Sequence, residues 1–251
     1  MGEVCLVAGT RMVTADQLPG RQGRLAAAFL LTERSRLVTR DELADVLWPE
    51  TPPPRFDVAL SAIVSKLRLA LERLGLGRDA VATASGCYRI LLPEGAWVDV
   101  EAAIEGVHLA EGALLANRHA DAYGDAVVAA AILRRPFLPG LEGSWIEARR
   151  ETLRIAHVRA LDCLAEVHEW NGEHALALRA AAEAVDIEPY RESGYRRLMR
   201  LHQLAGDLAE GLRVYSRLAH LLNSDLGAEP APETRALRDA LSKKSQKVLK
   251  N

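Results

Sequence analysis

Aromatic residues and long apolar runs are scarce in this chain of 251 residues. Aromatics make up only 5% of the sequence, whereas Ala and Leu are abundant, which favours helices packed on helices. No apolar run approaches the roughly 18 residues that span a bilayer. The N-terminus has no basic stretch followed by an apolar one, so we expect no secretory signal.

Cysteines are few and widely separated. Cys5, Cys87 and Cys163 are odd in number and lack the spacing of a metal site, so we expect reduced thiols in a cytoplasmic protein. No metal, cofactor or catalytic set is predicted. The chain has no G-x-x-x-x-G-K-[ST] phosphate loop and no G-x-S-x-G elbow. "HEWNGEH" (168–174) does not have the H-E-x-x-H spacing of a zinc protease, so the sequence predicts no enzyme.

The net charge is −2, so the whole molecule is not a polycation. Any nucleic-acid binding must therefore depend on a local basic patch. The 49% hydrophobic content is ample for a packed core in one large domain or two smaller ones.

Residues 1–95 have the pattern of a small mixed domain. "EVCLVAGTRMVTA" is strand-like, and helices are predicted at about 21–33, 40–47 and 57–75. Thr39 with Glu42 forms a capping box before the second helix. Strands at about 80–84 and 87–92 then flank a Ser85-Gly86 turn. This order of elements predicts a winged helix-turn-helix, in which the later helix enters the major groove and the hairpin is the wing.

Residues 96–242 are almost continuously helical and contain a repeat. Leu164, His168 and Gly172 are identical to the residues 34 positions later. Ala175 and Leu178 are identical to their counterparts at the same offset. A 34-residue period is that of tetratricopeptide helix pairs, with glycine at the turn. We therefore predict a mainly α fold, with a winged helix-turn-helix in 1–95 and a tetratricopeptide-like (TPR-like) domain in 96–242. A flexible Lys-rich tail is expected at 243–251.

Several blocks resemble a known family. "GRQGRLAAAFLL", "TRDELADVLWPE", "ALSAIVSKLRLAL" and "ATASGCYRILL" resemble the OmpR-type winged helix of AfsR/SARP-class bacterial regulators. "FLPGLEGSWIEARRE" and "DIEPYRESGYRRLMRLHQLAGD" are similar to the bacterial transcriptional activator domain (BTAD) of the same class. The resemblance implies a transcriptional regulator, and an activator in particular. Such a protein would bind promoter direct repeats, contact RNA polymerase and its sigma factor, and act as a homodimer on DNA.

The third predicted helix carries the main candidate DNA-binding face. Ser61, Ser65 and Arg68 share one side at 3.6 residues per turn, flanked by Val58, Ala62 and Leu69. Hydroxyls and a guanidinium suit phosphates and base edges. The full set of candidate DNA-binding residues, drawn from both helices of the motif and from the wing, is Thr39, Arg40, Arg55, Ser61, Ser65, Lys66, Arg68, Thr83, Ser85 and Arg89.

Besides the DNA-binding regulator, an adaptor and a ligand-sensing regulator with an effector bound between the domains stay open, although the sequence shows no dedicated pocket for an effector. Residues 53–92 have a basic excess of only +3, from six basic and three acidic residues. Few phosphate contacts mean weak non-specific DNA binding, so the chain could instead be a non-enzymatic adaptor that binds partners through its TPR-like domain. A weak candidate for a partner-binding patch is the arginine cluster Arg191, Arg196, Arg197 and Arg200. A solvated helix face explains the same pattern.

Overall fold

The structure is a computed structural model that describes residues 1–248. Five strands and ten α-helices are defined within this range. In chain order they are β1 Leu6–Ala8, β2 Arg11–Val13, α1 Gly20–Thr32, β3 Val38–Thr39, α2 Arg40–Leu47, α3 Phe56–Arg73, β4 Val81–Ala84, β5 Cys87–Ile90, α4 Asp99–Leu115, α5 His119–Leu133, α6 Ser144–Trp170, α7 His174–Ile187, α8 Glu192–Leu204, α9 Leu208–Leu226 and α10 Pro232–Val248. None of the described helices is long and apolar enough to cross a membrane.

The predicted fold class is confirmed in its main features. The helices predicted at 21–33, 40–47 and 57–75 correspond to α1, α2 and α3 within two residues at each end. The capping box forms as predicted: the Glu42 N–H donates to Thr39 Oγ1 at 3.1 Å and the Thr39 N–H donates to the Glu42 carboxylate at 2.8 Å. The Thr39 N–H also holds the pKa of the Glu42 carboxyl below its usual value.

The wing has one strand more than the sequence indicated. β4 and β5 form the predicted hairpin, with Ser85 at φ 49° and Gly86 at φ 76° in its two-residue turn, the geometry that suits a right-twisted hairpin. β3 pairs antiparallel with β5, giving the sheet order β3-β5-β4. β3 was missed because two residues before a helix cap have no periodicity to detect.

The chain forms two compact units. The first comprises 1–103 and 132–153, and the second comprises 104–131 and 154–251. The boundary that we predicted at 95/96 stays a prediction, but the first unit includes two segments that lie beyond it. In that unit, Trp145 packs edge-to-face on Phe29 with ring centroids 5.1 Å apart, and Arg149 pairs with Glu33 at 2.6 Å.

The second unit contains the predicted repeat. Gly172 and Gly206 both have left-handed backbone, at φ 76° and 81°, between successive helices. Around both turns the N–H groups of the glycine and the following residue bond to carbonyls three and five residues back, which is a Schellman motif. The predicted left-handed conformation of Gly206 is therefore confirmed.

The same turn also joins α4 to α5, where the sequence left the register open. Asn117 has φ 56°, and the Asn117 and Arg118 N–H groups bond to the carbonyls of Leu114 and Ala113. Asparagine tolerates this left-handed conformation better than other residues with a side chain. A third helix pair of the repeat type is thus present in the second unit.

The C-terminal residues depart in part from expectation. The flexible tail was predicted at 243–251, but α10 continues to Val248, in keeping with the good helix propensity of lysine. Residues 249–251 of that prediction lie outside the described residues.

Candidate nucleic-acid interface

Helix α3 is held on one side and open on the other. Its buried face consists of Leu60, Val64, Leu67 and Leu71, each at most 1% exposed. These leucines and the valine recur at three- and four-residue intervals, so they form the apolar stripe of an amphipathic helix. The opposite face is solvent-exposed and carries Ser61, Ser65 and Lys66.

Two of the candidate arginines are engaged inside the winged helix. Arg68 donates from Nε and Nη2 to the Val81 carbonyl at 3.0 and 2.7 Å, and from Nη2 to Thr83 Oγ1 at 2.8 Å. These bonds tie the C-terminal half of α3 to strand β4. Arg68 thus has a structural role that the helical pattern did not reveal, since its acceptors lie 13 and 15 residues further along the chain.

Arg40 has a comparable role at the other end of α3. Its Nε donates to Asp57 Oδ1 at 3.0 Å and its Nη2 to the Asp57 carbonyl at 3.1 Å. The guanidinium also lies 5.8 Å from the centre of the Tyr88 ring. Ser61 donates its hydroxyl back to the Asp57 carbonyl at 2.7 Å. The first turn of α3 is therefore anchored to the start of α2.

The N-terminus of α2 is a poorer phosphate site than its sequence suggests. Thr39 is exposed, but its side chain is occupied by the capping box. The carboxylates of Asp41 and Glu42 lie in the first turn, where they already complement the positive end of the helix dipole. Glu42 also pairs with Arg36 at 2.9 Å. A phosphate at this terminus would approach two negative charges.

Other candidates remain available to a ligand. The side chains of Arg55, Ser65 and Lys66 are exposed and form no hydrogen bond or ion pair with another described residue. On the wing, Ser85 is exposed at the hairpin tip, while Arg89 is exposed and donates to the Arg34 carbonyl at 3.1 Å. The DNA-contact roles of all ten candidate residues stay predictions.

Two exposed apolar residues on α3 were noted in the sequence only as neighbours of the polar face. Val58 is 66% exposed and Leu69 is 50% exposed. The helical pattern could have singled them out, because both fall off the buried stripe. They therefore add apolar surface to the exposed face of α3, beside its polar side chains.

The predicted arginine cluster on α8 is mostly paired within the second unit. Arg191 forms a bidentate pair with Asp162 at 2.7 and 3.1 Å, and Arg197 contacts Glu166 at 3.4 Å. Arg196 donates to Thr234 at 3.0 Å. Arg200 is exposed, without a hydrogen bond or ion pair to the described residues. The four side chains therefore do not form a free basic patch, and their role with a partner stays a prediction.

No group of His, Cys, Asp and Glu side chains within the described part of the chain has the arrangement of a metal site. The second unit has an open groove of about 370 Å³, lined by Glu111, Leu114, Leu115, Arg159, Asp162, Cys163 and Glu166. Arg159 and Glu111 form a bidentate pair across it, and this hydrogen bonding lowers the pKa of Glu111. Leu115 is 87% exposed at its edge.

Relatives of this chain are regulators of transcription in bacteria. Transcriptional regulatory protein EmbR of Mycobacterium tuberculosis is 31% identical over 247 residues, which cover 93% of this chain and 61% of EmbR. Regulatory protein AfsR of Streptomyces coelicolor is 30% identical over 229 residues, which cover 88% of this chain and 22% of AfsR. The chain thus spans about three fifths of the first relative and less of the second.

A solved structure has the same fold over nearly the whole chain. The structure of M. tuberculosis EmbR in complex with a low-affinity phosphopeptide superposes with a TM-score of 0.83 and 25% identity, covering 97% of this chain and 64% of that one. The family model described as "Bacterial transcriptional activator domain" matches residues 98–242. These matches confirm the predicted resemblance: the chain belongs to the bacterial transcriptional activator domain family, in the SARP class of regulators.

Proposed function

We propose that this chain is a DNA-binding transcriptional activator that binds promoter direct repeats through its winged helix. The observation that carries the proposal is α3, which is packed on one face and exposed on the other beside a β4–β5 wing. In helix-turn-helix proteins this exposed face lies in the major groove and the wing follows the backbone. The SARP-class relationship supports the same role.

The internal pairing divides the candidate residues into two groups. Arg40, Ser61, Arg68 and Thr83 hold α2, α3 and β4 together, and Thr39 caps α2, so this group presents the interface. Arg55, Ser65, Lys66, Ser85 and Arg89 are exposed, so they are the ones we assign to phosphates and base edges. With so few free cations, specific binding depends on a second protomer or on RNA polymerase.

We assign contacts with RNA polymerase and its sigma factor, and with a second copy of the chain, to the helical domain. The described surface of the second unit includes large apolar side chains, of which Leu115 and Trp170 are the most exposed at 87% and 61%. Exposed apolar groups of this size favour protein contacts over solvent. The proposed working form is a homodimer on promoter DNA in the nucleoid.

The second candidate function is a partner-binding adaptor without specific DNA binding. The open groove of the second unit favours it, because Leu115, 87% exposed at the groove's edge, offers apolar surface to a partner. Under this proposal the face of α3 is a solvated surface.

The test is selection of genomic DNA fragments by the purified protein, followed by sequencing, across a salt series. Enrichment of a direct repeat, with affinity that falls as salt rises, is the expected result. The variant Ser65→Ala/Lys66→Gln should weaken binding to the enriched sites, whereas Lys243→Gln, which changes an exposed side chain of α10, should not. No enrichment at low salt would contradict DNA binding and favour the adaptor.

A further inference from the structure

The outer face of α3 carries a stripe that is mostly apolar. Val58, Ala62, Ser65 and Leu69 are spaced by four, three and four residues, so they share one side of the helix. All four are exposed. We call them the outer stripe. A solvated helix face is usually charged, but this stripe contains no charge and a single hydroxyl.

The polar side chains beside the outer stripe are largely occupied. Ser61 donates to the Asp57 carbonyl, and Arg68 donates to the Val81 carbonyl and to Thr83. Arg40, which reaches the first turn of α3 from α2, is paired with Asp57 at 2.9 Å. Ser65 and the flanking Lys66 are the polar groups in the middle of this face that have no partner among residues 1–248.

The chemistry of the major groove restricts what such a face can recognise. Guanine, adenine and cytosine present hydrogen-bonding atoms there, whereas thymine also presents an apolar C5-methyl group. A valine pressed against guanine O6 or the cytosine amino group would dehydrate a polar atom without replacing its hydrogen bond, which is unfavourable. Against a thymine methyl the same side chain buries apolar surface from both partners.

Resting on the proposed DNA-binding function, we infer that Val58 and Ala62 are specificity residues that recognise the methyl groups of thymine. Four residues of helix rise by about 6 Å, and base pairs are spaced by about 3.4 Å. Each half-site should therefore contain two thymines, on either strand, about two base pairs apart. Leu69 lies about 16 Å along the helix from Val58, beyond the base pairs that the first turns of α3 reach.

The experiment uses the full chain and the direct repeat enriched by selection. Each thymine of one half-site is replaced singly by uracil, which lacks only the methyl group, and the Kd is measured for each duplex. We expect about fourfold weaker binding at two positions, the value of one buried methyl group. Substitution at the other thymines should change the Kd by less than about twofold.

Variants then assign one position to Val58. The uracil penalty is the ratio of the Kd for the uracil duplex to the Kd for the thymine duplex. In Val58→Ala this ratio should approach 1 at one of the two thymines. At the other thymine, contacted by Ala62, the penalty should persist. The matched control is Leu69→Ala, which removes another exposed apolar side chain of the outer stripe and should keep both penalties. Both side chains are at least half exposed, so neither change is expected to unfold the domain.

Three outcomes would overturn the inference. Specific binding with no uracil penalty at any thymine would mean that polar groups or DNA shape supply the specificity, and the proposed function would stand. Uracil penalties that are equal in wild type, Val58→Ala and Leu69→Ala would remove Val58 from recognition. No specific DNA binding at all would overturn the inference together with the proposed function.

Discussion

At the scale of single residues, a charged side chain on an exposed helix face can serve the fold or a ligand, and α3 has both kinds. Arg68 and Lys66 are two residues apart, yet Arg68 bonds to strand β4 while Lys66 extends from the face without a partner among the described residues. The pattern of the helix treats the two alike. Their roles differ because the Val81 carbonyl lies within hydrogen-bonding distance of Arg68.

Arg68→Gln is expected to destabilise the winged helix. The substitution removes the bonds to the Val81 carbonyl and to Thr83, and hydrogen bonds from a charged donor contribute about 1.5–3 kcal/mol. Urea unfolding should show a free energy of unfolding lower by about 1–3 kcal/mol. A stability equal to wild type would contradict the structural role of this arginine.

Lys66→Gln, by contrast, is expected to weaken DNA binding without lowering the stability of the fold. Its stability should stay within about 0.5 kcal/mol of wild type, because the side chain is exposed and makes no contact that holds the fold. If Lys66 contacts a phosphate, DNA binding weakens and the slope of log K against log salt falls by about one per protomer. Titrations at several salt concentrations measure this slope, and an unchanged slope would remove Lys66 from the interface.

Cys163 should be the least reactive thiol of the folded protein. It is 4% exposed, and burial raises its pKa to about 12. Because the thiolate is the reactive form, labelling with iodoacetamide at pH 8 should modify the exposed Cys5 well before Cys163. Mass spectrometry of the peptides reports the order, and Cys163 should become reactive in urea. Equal labelling rates in the folded protein would show that Cys163 is accessible.

At the scale of elements, the left-handed turns define the helix pairs of the second unit. Gly172, Gly206 and Asn117 occupy the same position of the same Schellman motif. Two of the three positions were evident from the 34-residue period. The third is asparagine, so an alignment that looked for glycine could not find it.

Gly206→Ala is expected to cost about 1–2 kcal/mol, since a side chain at φ 81° strains the backbone even though no atom would lie within 4 Å of the new Cβ. Gly112→Ala is the matched control. Gly112 lies in the interior of α4, and its Cβ would also meet open space, so alanine there should stabilise by about 0.5–1 kcal/mol. Urea unfolding measures both, and a shift of the same sign in the two variants would contradict the turn assignment.

At the scale of the whole molecule, the first compact unit combines the winged helix with a segment from much further along the chain. Residues 132–153 lie about forty residues beyond the last strand of the wing, yet they belong to the same compact unit as the winged helix. Within that unit Arg149 pairs with Glu33, Arg34 pairs with Glu101, and Trp145 packs on Phe29. A fragment that ended at residue 95 would lack all three.

Trp145→Ala is expected to destabilise the winged-helix fold, although Trp145 lies far from that fold in sequence. The indole is partly buried and packs edge-to-face on Phe29 and Phe137, so its loss should cost about 2–4 kcal/mol. Hydrogen exchange should show faster amide exchange in α1. Trp170→Ala is the control, because Trp170 is largely exposed and stacks on His119 in the second unit. Equal protection of α1 in the two variants would contradict the packing role of Trp145.

The sequence by itself determined the features that depend on near neighbours along the chain. Helices α1 to α3 follow from an apolar period of 3.6 and from the capping box at Thr39 and Glu42, and the wing hairpin follows from its Ser85-Gly86 turn. Each of these signals spans only a few residues, so a short segment of the sequence is enough to detect it. The family resemblance added the expected role as a transcriptional regulator.

Only the tertiary structure decided which exposed charges are free. Arg40 reaches Asp57 across 17 residues, Arg68 reaches Val81 across 13, and Arg149 reaches Glu33 across 116. Such pairs form where the fold brings distant segments together, and no local period encodes them. The sequence placed Val58, Ala62 and Leu69 beside the polar face of α3. Only the structure showed that Arg40, Ser61 and Arg68, which lie next to this outer stripe, are bonded inside the domain.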